Sequence, residues 1–167
     1  MAEQALRYFE LRTRAKYEVE TAIFFETGIE SAGFELPFCG ITPPGLLYID
    51  PGFVWDGPSG PTVDREWNMK ASLKHDPLVK LLRHTGFGLV DHDERQLAAD
   101  RIYLETCLTA IEDLADLAPR ETAWARFSTA VRYNWRRSKA HLHYRALRIF
   151  GASAGELEGP REILTAI

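Results

Sequence analysis

A chain of 167 residues with a hydrophobic fraction of 46% is long enough for one globular domain with its own core. Its 24 Asp and Glu outnumber 20 Lys and Arg, giving a net charge of −4, so the surface as a whole is not built to coat nucleic acid and no specific nucleic acid is expected as a partner. No apolar run is long enough to span a bilayer, and the opening Met1 to Arg7 lacks the apolar core of a signal peptide, so no signal peptide and no Sec-type secretion are expected.

Residues 7–55 form the strand-rich part. Tyr17, Val19, Thr21, Ile23 and Phe25 alternate with Glu18, Glu20, Ala22 and Phe24, the period-two pattern of a strand with one buried face. Gly28, Gly33, Gly40, Pro43-Pro44-Gly45 and Pro51-Gly52 punctuate the run. Further short strands are predicted at Phe34 to Phe38, Leu46 to Ile49 and Phe53 to Trp55, which together make a small antiparallel sheet or meander. Cys39 and Cys107 show no metal-ligand spacing and are expected to be free, buried thiols.

Residues 64–150 change to helical spacing. Trp67, Ala71, Leu78 and Leu82 mark a first helix that Gly86 would stop, with Pro77 as a point of kinking. A second helix starts after Asp93, with Gln96 placed to complete a capping box and Leu97, Leu104, Leu108 and Ile111 as its inner stripe; Pro119 ends it. A third helix is predicted from about Thr122 to Phe150, with Trp124, Phe127, Val131, Trp135, Leu142 and Ile149 facing the core and Gly151 as its stop. The tail, 151–167, could add a helical turn or two after Gly159-Pro160. The expected fold class is α+β, a single domain over 1–167 in which strands pack on three main helices with a His-Asp helix pair at the centre.

The chemistry concentrates between Trp55 and Asp100. His75 lies four residues after Ala71 and three before Leu78, and Asp100 three after Leu97 and four before Leu104, so both face inward. On two antiparallel helices the carboxylate could meet the imidazole, fix its tautomer and leave the other nitrogen to take a proton from water. The plain alternative is a satisfied core pair. Asp76 is turned by about 100° from His75 and can face the loop of Asp56 to Pro61, where two carboxylates and loop carbonyls would suit a hard cation such as calcium. Asp56-Gly57-Pro58 alone reads as a turn, and Asp91, His92 and Asp93 as a helix start.

The motifs Gly52-Phe53-Val54-Trp55-Asp56-Gly57-x-Ser59, His75-Asp76-x-Leu78 and Ala99-Asp100-Arg101-Ile102-Tyr103 resemble an uncharacterised family common in phages and prophages (domain of unknown function 1353). Their order is also similar to that of bacterial and fungal secreted phospholipases A2. The resemblance implies a calcium-dependent hydrolase of a phospholipid or other acyl ester. In it His75 would be the general base and Asp100 its orienting partner, with Asp56, Asp76 and Gly57 holding calcium. It also implies a phage setting, with the protein in the virion or tail or in the bacterial cytoplasm and other virion proteins as partners. The alternative it carries is a structural or virion-assembly protein that keeps an inactive His-Asp site. The chain departs from the phospholipase pattern in having Pro58 at the loop cysteine and Pro77, Leu78 and Val79 where a tyrosine is common, and in having two cysteines in all. A metal-dependent phosphohydrolase using His75, His92-Asp93 and a later Asp is a third reading, ranked last because those enzymes are all-helical and the chain opens with strands.

The third helix raises a separate expectation. Arg126, Arg132, Arg136, Arg137, Lys139, Arg145 and Arg148 fall with no acid between Glu121 and Glu156, and Trp135 and Tyr144 sit among them. Such a helix can touch a membrane surface, here through Arg132, Arg136, Arg137 and Lys139, or grip phosphates. The simpler expectation is a solvated basic face with the aromatic residues in the core.

Overall fold

The computed structural model describes residues 8–10, 16–30, 33–58, 63–84 and 92–156. Seven short strands are followed by three long helices, an α+β arrangement. The strands form two antiparallel sheets. The first has the order β1 (Tyr8–Glu10), β2 (Tyr17–Val19), β7 (Val54–Trp55). The second has the order β3 (Ile23–Glu26), β6 (Leu46–Ile49), β5 (Cys39–Ile41), β4 (Phe34–Leu36).

The alternation from Tyr17 to Phe25 survives as burial: Tyr17, Val19, Ile23 and Phe25 face the core, while Phe24 is exposed. The run is not one strand, however. It breaks after Val19, so that β2 joins one sheet and β3 the other. The strand predicted over Phe34 to Phe38 stops at Leu36. Pro37 carries no N–H for a ladder, and Phe38 takes a left-handed φ of 66°, so the two residues make the tight turn of a hairpin in which Leu36 pairs with Cys39. Gly40 stands opposite Tyr48, whose ring lies 2.3 Å from where a Cβ would be, so any other residue there would have to displace that ring.

Helix α1 (Glu66–His84) links two cores. Its Met69, Leu73, Leu78, Leu81 and Leu82 close over Val19, Ile23, Ile41, Leu47, Ile49, Phe53 and Trp55 from the strands. Its Trp67 and Ala71 belong instead to a cluster with Tyr103, Cys107 and Ile111 of α2 (His92–Asp116) and Ala140 of α3 (Ala123–Glu156). Each fully buried Leu or Ile contributes about 1.5–3 kcal/mol relative to exposure. The entry to α1 is fixed by buried Asn68, whose side chain accepts from the Arg65 N–H at 2.8 Å and donates to the Val63 carbonyl at 3.2 Å. The helix runs through Pro77 without interruption. Cys39 and Cys107 are free and buried, one in each core.

Two expectations for α3 are corrected. Gly151 does not stop it. A glycine inside a helix costs only about 1 kcal/mol relative to alanine, and the helix continues through Ala152, Ser153 and Ala154 to Glu156. The stripe of Trp124, Phe127, Val131, Trp135, Leu142 and Ile149 does not face the core; all six are exposed. The inner face is another row: Ala140, Tyr133 and Leu147 pack in the helix cluster, and His143 stacks on Trp67 with ring centroids 5.7 Å apart. Ala140, fully buried, is the one small α3 residue at this contact, where it leaves room for the side chains of α2. No described helix is long and apolar enough to cross a membrane.

Candidate active site

Helices α1 and α2 bring His75 and Asp100 together. The imidazole Nε2 donates to Asp100 Oδ1 at 2.8 Å, and the carboxylate is fully buried. A buried charge is tolerable only when its lone pairs are satisfied. Gln96, one helical turn earlier on α2, donates its amide to the same Oδ1 at 2.8 Å, and Arg148 of α3 brings its guanidinium to 3.4 Å from Oδ2. Three helices thus contribute one donor each to a single carboxylate. Gln96 is therefore not a capping residue as the sequence suggested: its side chain is buried and directed at Asp100. In the sequence Arg148 reads only as part of a basic face. A glutamine four residues before a buried aspartate is the one signal that could have marked the network.

The other imidazole nitrogen, Nδ1, lies 3.4 Å from Asp76 Oδ1. Asp76 therefore turns part of its carboxylate back to its neighbour, although a 100° step along the helix would permit it to point away. This contact is longer than the usual hydrogen bond and involves a side chain that is 23% exposed, so Nδ1 is the looser, more outward nitrogen. The Tyr103 and His75 rings stand nearly perpendicular, at 75° with centroids 5.7 Å apart, so Tyr103 packs beside the imidazole. Burial pushes the His75 pKa down, but the hydrogen bonds and charges of Asp100 and Asp76 outweigh it and raise it from 6.5 to about 9. At neutral pH the ring is thus a cation between two carboxylates.

The loop from Asp56 is anchored close by. The Trp55 indole donates to Ser72 Oγ at 3.3 Å, and Ser72 lies one helical turn before Asp76 on α1. Asp56 itself is exposed. Gly57 has a φ of +78°, and a Cβ there would meet the Tyr17 ring at 2.9 Å and the Asp64 carboxylate at 3.3 Å, so the chain must turn on glycine. Calcium takes six to eight oxygens. Asp56, Asp76 and the Gly57 carbonyl are oxygen donors of the right kind but too few alone, and residues 59–62, which would complete the loop, lie outside the described residues. Among the described residues no three His, Cys, Asp or Glu side chains converge as a metal site. The side chains of His92 and Asp93, used by the phosphohydrolase reading, are likewise outside the description.

Among the described residues, neither of two surface clefts has His75 in its lining. One of about 550 Å³ is lined by Glu112, Asp116, Arg120, Arg126, Thr129 and Tyr133. A smaller one is lined by Glu26, Lys70, Lys74, Glu105 and Asp113. In the smaller cleft burial, and then the charge of Lys70, lower the Lys74 pKa. No protein family matches the chain, and neither a curated protein nor a solved structure does.

Proposed function

We propose that the protein is a hydrolase of acyl esters, phospholipase A2-like, in which His75 is the general base and Asp100 its orienting partner. The observation that supports this reading is the 2.8 Å bond from His75 Nε2 to a carboxylate that Gln96 and Arg148 also hold. With Nε2–H fixed on Asp100, the neutral ring carries its lone pair on Nδ1, the nitrogen nearer the surface. Asp76 is part-exposed and can rotate outward to give a water molecule that place. Nδ1 takes a proton from the water as its oxygen bonds to the acyl carbon. The bond to the alkoxy oxygen then breaks, and the proton passes from the imidazolium to the departing alkoxide. Calcium belongs to this proposal through the family resemblance, with Asp56, Asp76 and the Gly57 carbonyl as its holders; bound there it would supply polarisation of the ester carbonyl. The phage setting, in the virion or tail, is proposed on the same resemblance.

One observation favours a second reading, a structural or virion-assembly protein with an inactive site: both ring nitrogens face carboxylates, so the cation is itself a satisfied core element. Turnover of a short-chain phospholipid and the thermal midpoint, measured on wild type, His75→Gln and Asp100→Asn, separate the two. The hydrolase reading expects wild-type turnover that rises with pH through about 9 and falls about 10²–10⁴-fold in His75→Gln. Inactive wild type, with both variants melting early, would leave the structural reading standing. Calorimetry with calcium should give binding heat for wild type and less for Asp76→Asn; equal heats would remove Asp76 from the ion's ligands.

A further inference from the structure

We propose that the outer face of α3 docks the protein on an anionic lipid surface. This inference does not depend on the chemistry at His75. Trp124, Phe127, Val131, Trp135, Leu142 and Ile149 are between 51% and 74% exposed. At 100° per residue they fall within about 80° of one another, in a stripe about 38 Å long. Six large apolar side chains in one exposed row are more than the scattered apolar residues a protein surface ordinarily shows. The opposite side of the helix is already used, since Tyr133, Ala140, His143 and Leu147 pack toward α1 and α2.

Charge decides what the stripe meets. The helix has no acidic residue between Glu121 and Glu156. Of its basic residues Arg137 is directed to Glu112 and Arg148 to Asp100. Arg132 and Arg145 are exposed, Arg132 to one side of the stripe and Arg145 on its other edge, in line with Phe127. Lys139 sets its ammonium over the Trp135 ring at 5.6 Å, at the margin of the apolar row. A second copy of the chain would bring the same cations against one another with no acid on either helix to offset them, and Arg145 would fall at the seam. A bilayer with anionic headgroups satisfies every part of the face at once. The row enters the acyl boundary, the indole N–H groups of Trp124 and Trp135 stay at headgroup level, and the basic margins reach phosphates. The helix would lie on the membrane, since it is not apolar enough to cross it.

The test uses the full chain with vesicles of phosphatidylglycerol and of phosphatidylcholine. Wild type should co-sediment with the first and not the second, with binding that weakens as salt rises. Its tryptophan emission should shift to the blue on binding. Trp55 and Trp67 are already buried, so the shift reports Trp124 and Trp135. Arg132→Gln with Lys139→Gln should weaken binding about 25-fold, from about fivefold per cation, and flatten its salt dependence. Trp135→Ser with Leu142→Ser should weaken it more than about tenfold. Both pairs lie outside the core and should keep the wild-type thermal midpoint, so that lost binding is not lost folding. Equal binding to both vesicles, no binding by wild type, or variants that bind as wild type would overturn the proposal. So would a wild-type dimer that Leu142→Ser dissolves, or tight binding to an acidic amphipathic peptide with none to vesicles.

Discussion

Asp100 is the residue on which the centre of the molecule converges, and its environment makes the protonation of His75 a stability variable. The folded-state pKa of His75, about 9, lies above the ordinary 6.5 because two carboxylates favour the cation more than burial opposes it. A group with a raised pKa stabilises the fold fully below its unfolded value and loses that contribution as pH rises through the folded value. Wild type should therefore lose stability between pH 6.5 and about 9, and His75→Gln should lose less over the same interval; thermal midpoints of the two proteins across that range check it. The inward phase of His75 and Asp100 was legible in the sequence because both sit at helical spacing among apolar neighbours. Gln96 and Arg148 were not, because a glutamine near a helix start reads as a cap and an arginine in a basic run reads as surface. Only the packing of α3 on α2 shows that Arg148 reaches 48 residues back along the chain.

Among the elements, the hairpin of β4 and β5 carries a local conflict. Phe38 adopts a φ of 66° although it has a Cβ, and its side chain is 53% exposed. An L-residue in that region costs about 1–2 kcal/mol, less for asparagine, which can bond to its own backbone. Phe38→Asn should raise stability by about 0.5–1 kcal/mol, read as a higher midpoint in urea at unchanged slope. The helices were legible as apolar spacing, and their extents came close to those observed. What spacing could not tell is which side of α3 meets the body, because that helix has two apolar faces. The longer apolar row looks like the core in sequence, yet the row of Ala140, Tyr133 and Leu147 is the one that packs on the other helices. The strands were legible as alternation, but not as two sheets, since a break of three residues after Val19 leaves the period-two phase intact.

At the scale of the whole molecule, α1 is shared: one of its sides belongs to the strand core and the other to the helix core. Each core holds one thiol. Burial pushes the Cys39 pKa up to about 11 and that of Cys107 up to about 12, so neither is a thiolate at neutral pH and neither is open to solvent. A thiol-specific reagent should therefore modify the native protein only as fast as each core opens. Mass-resolved labelling of the two cysteines thus gives two independent clocks inside one chain. If α1 binds the cores into a single cooperative unit, Cys39 and Cys107 will be labelled in step at every denaturant concentration. If Cys107 is labelled while Cys39 stays protected, the helices part from the sheet first, and the His75–Asp100 pairing is lost before the strands have begun to unfold.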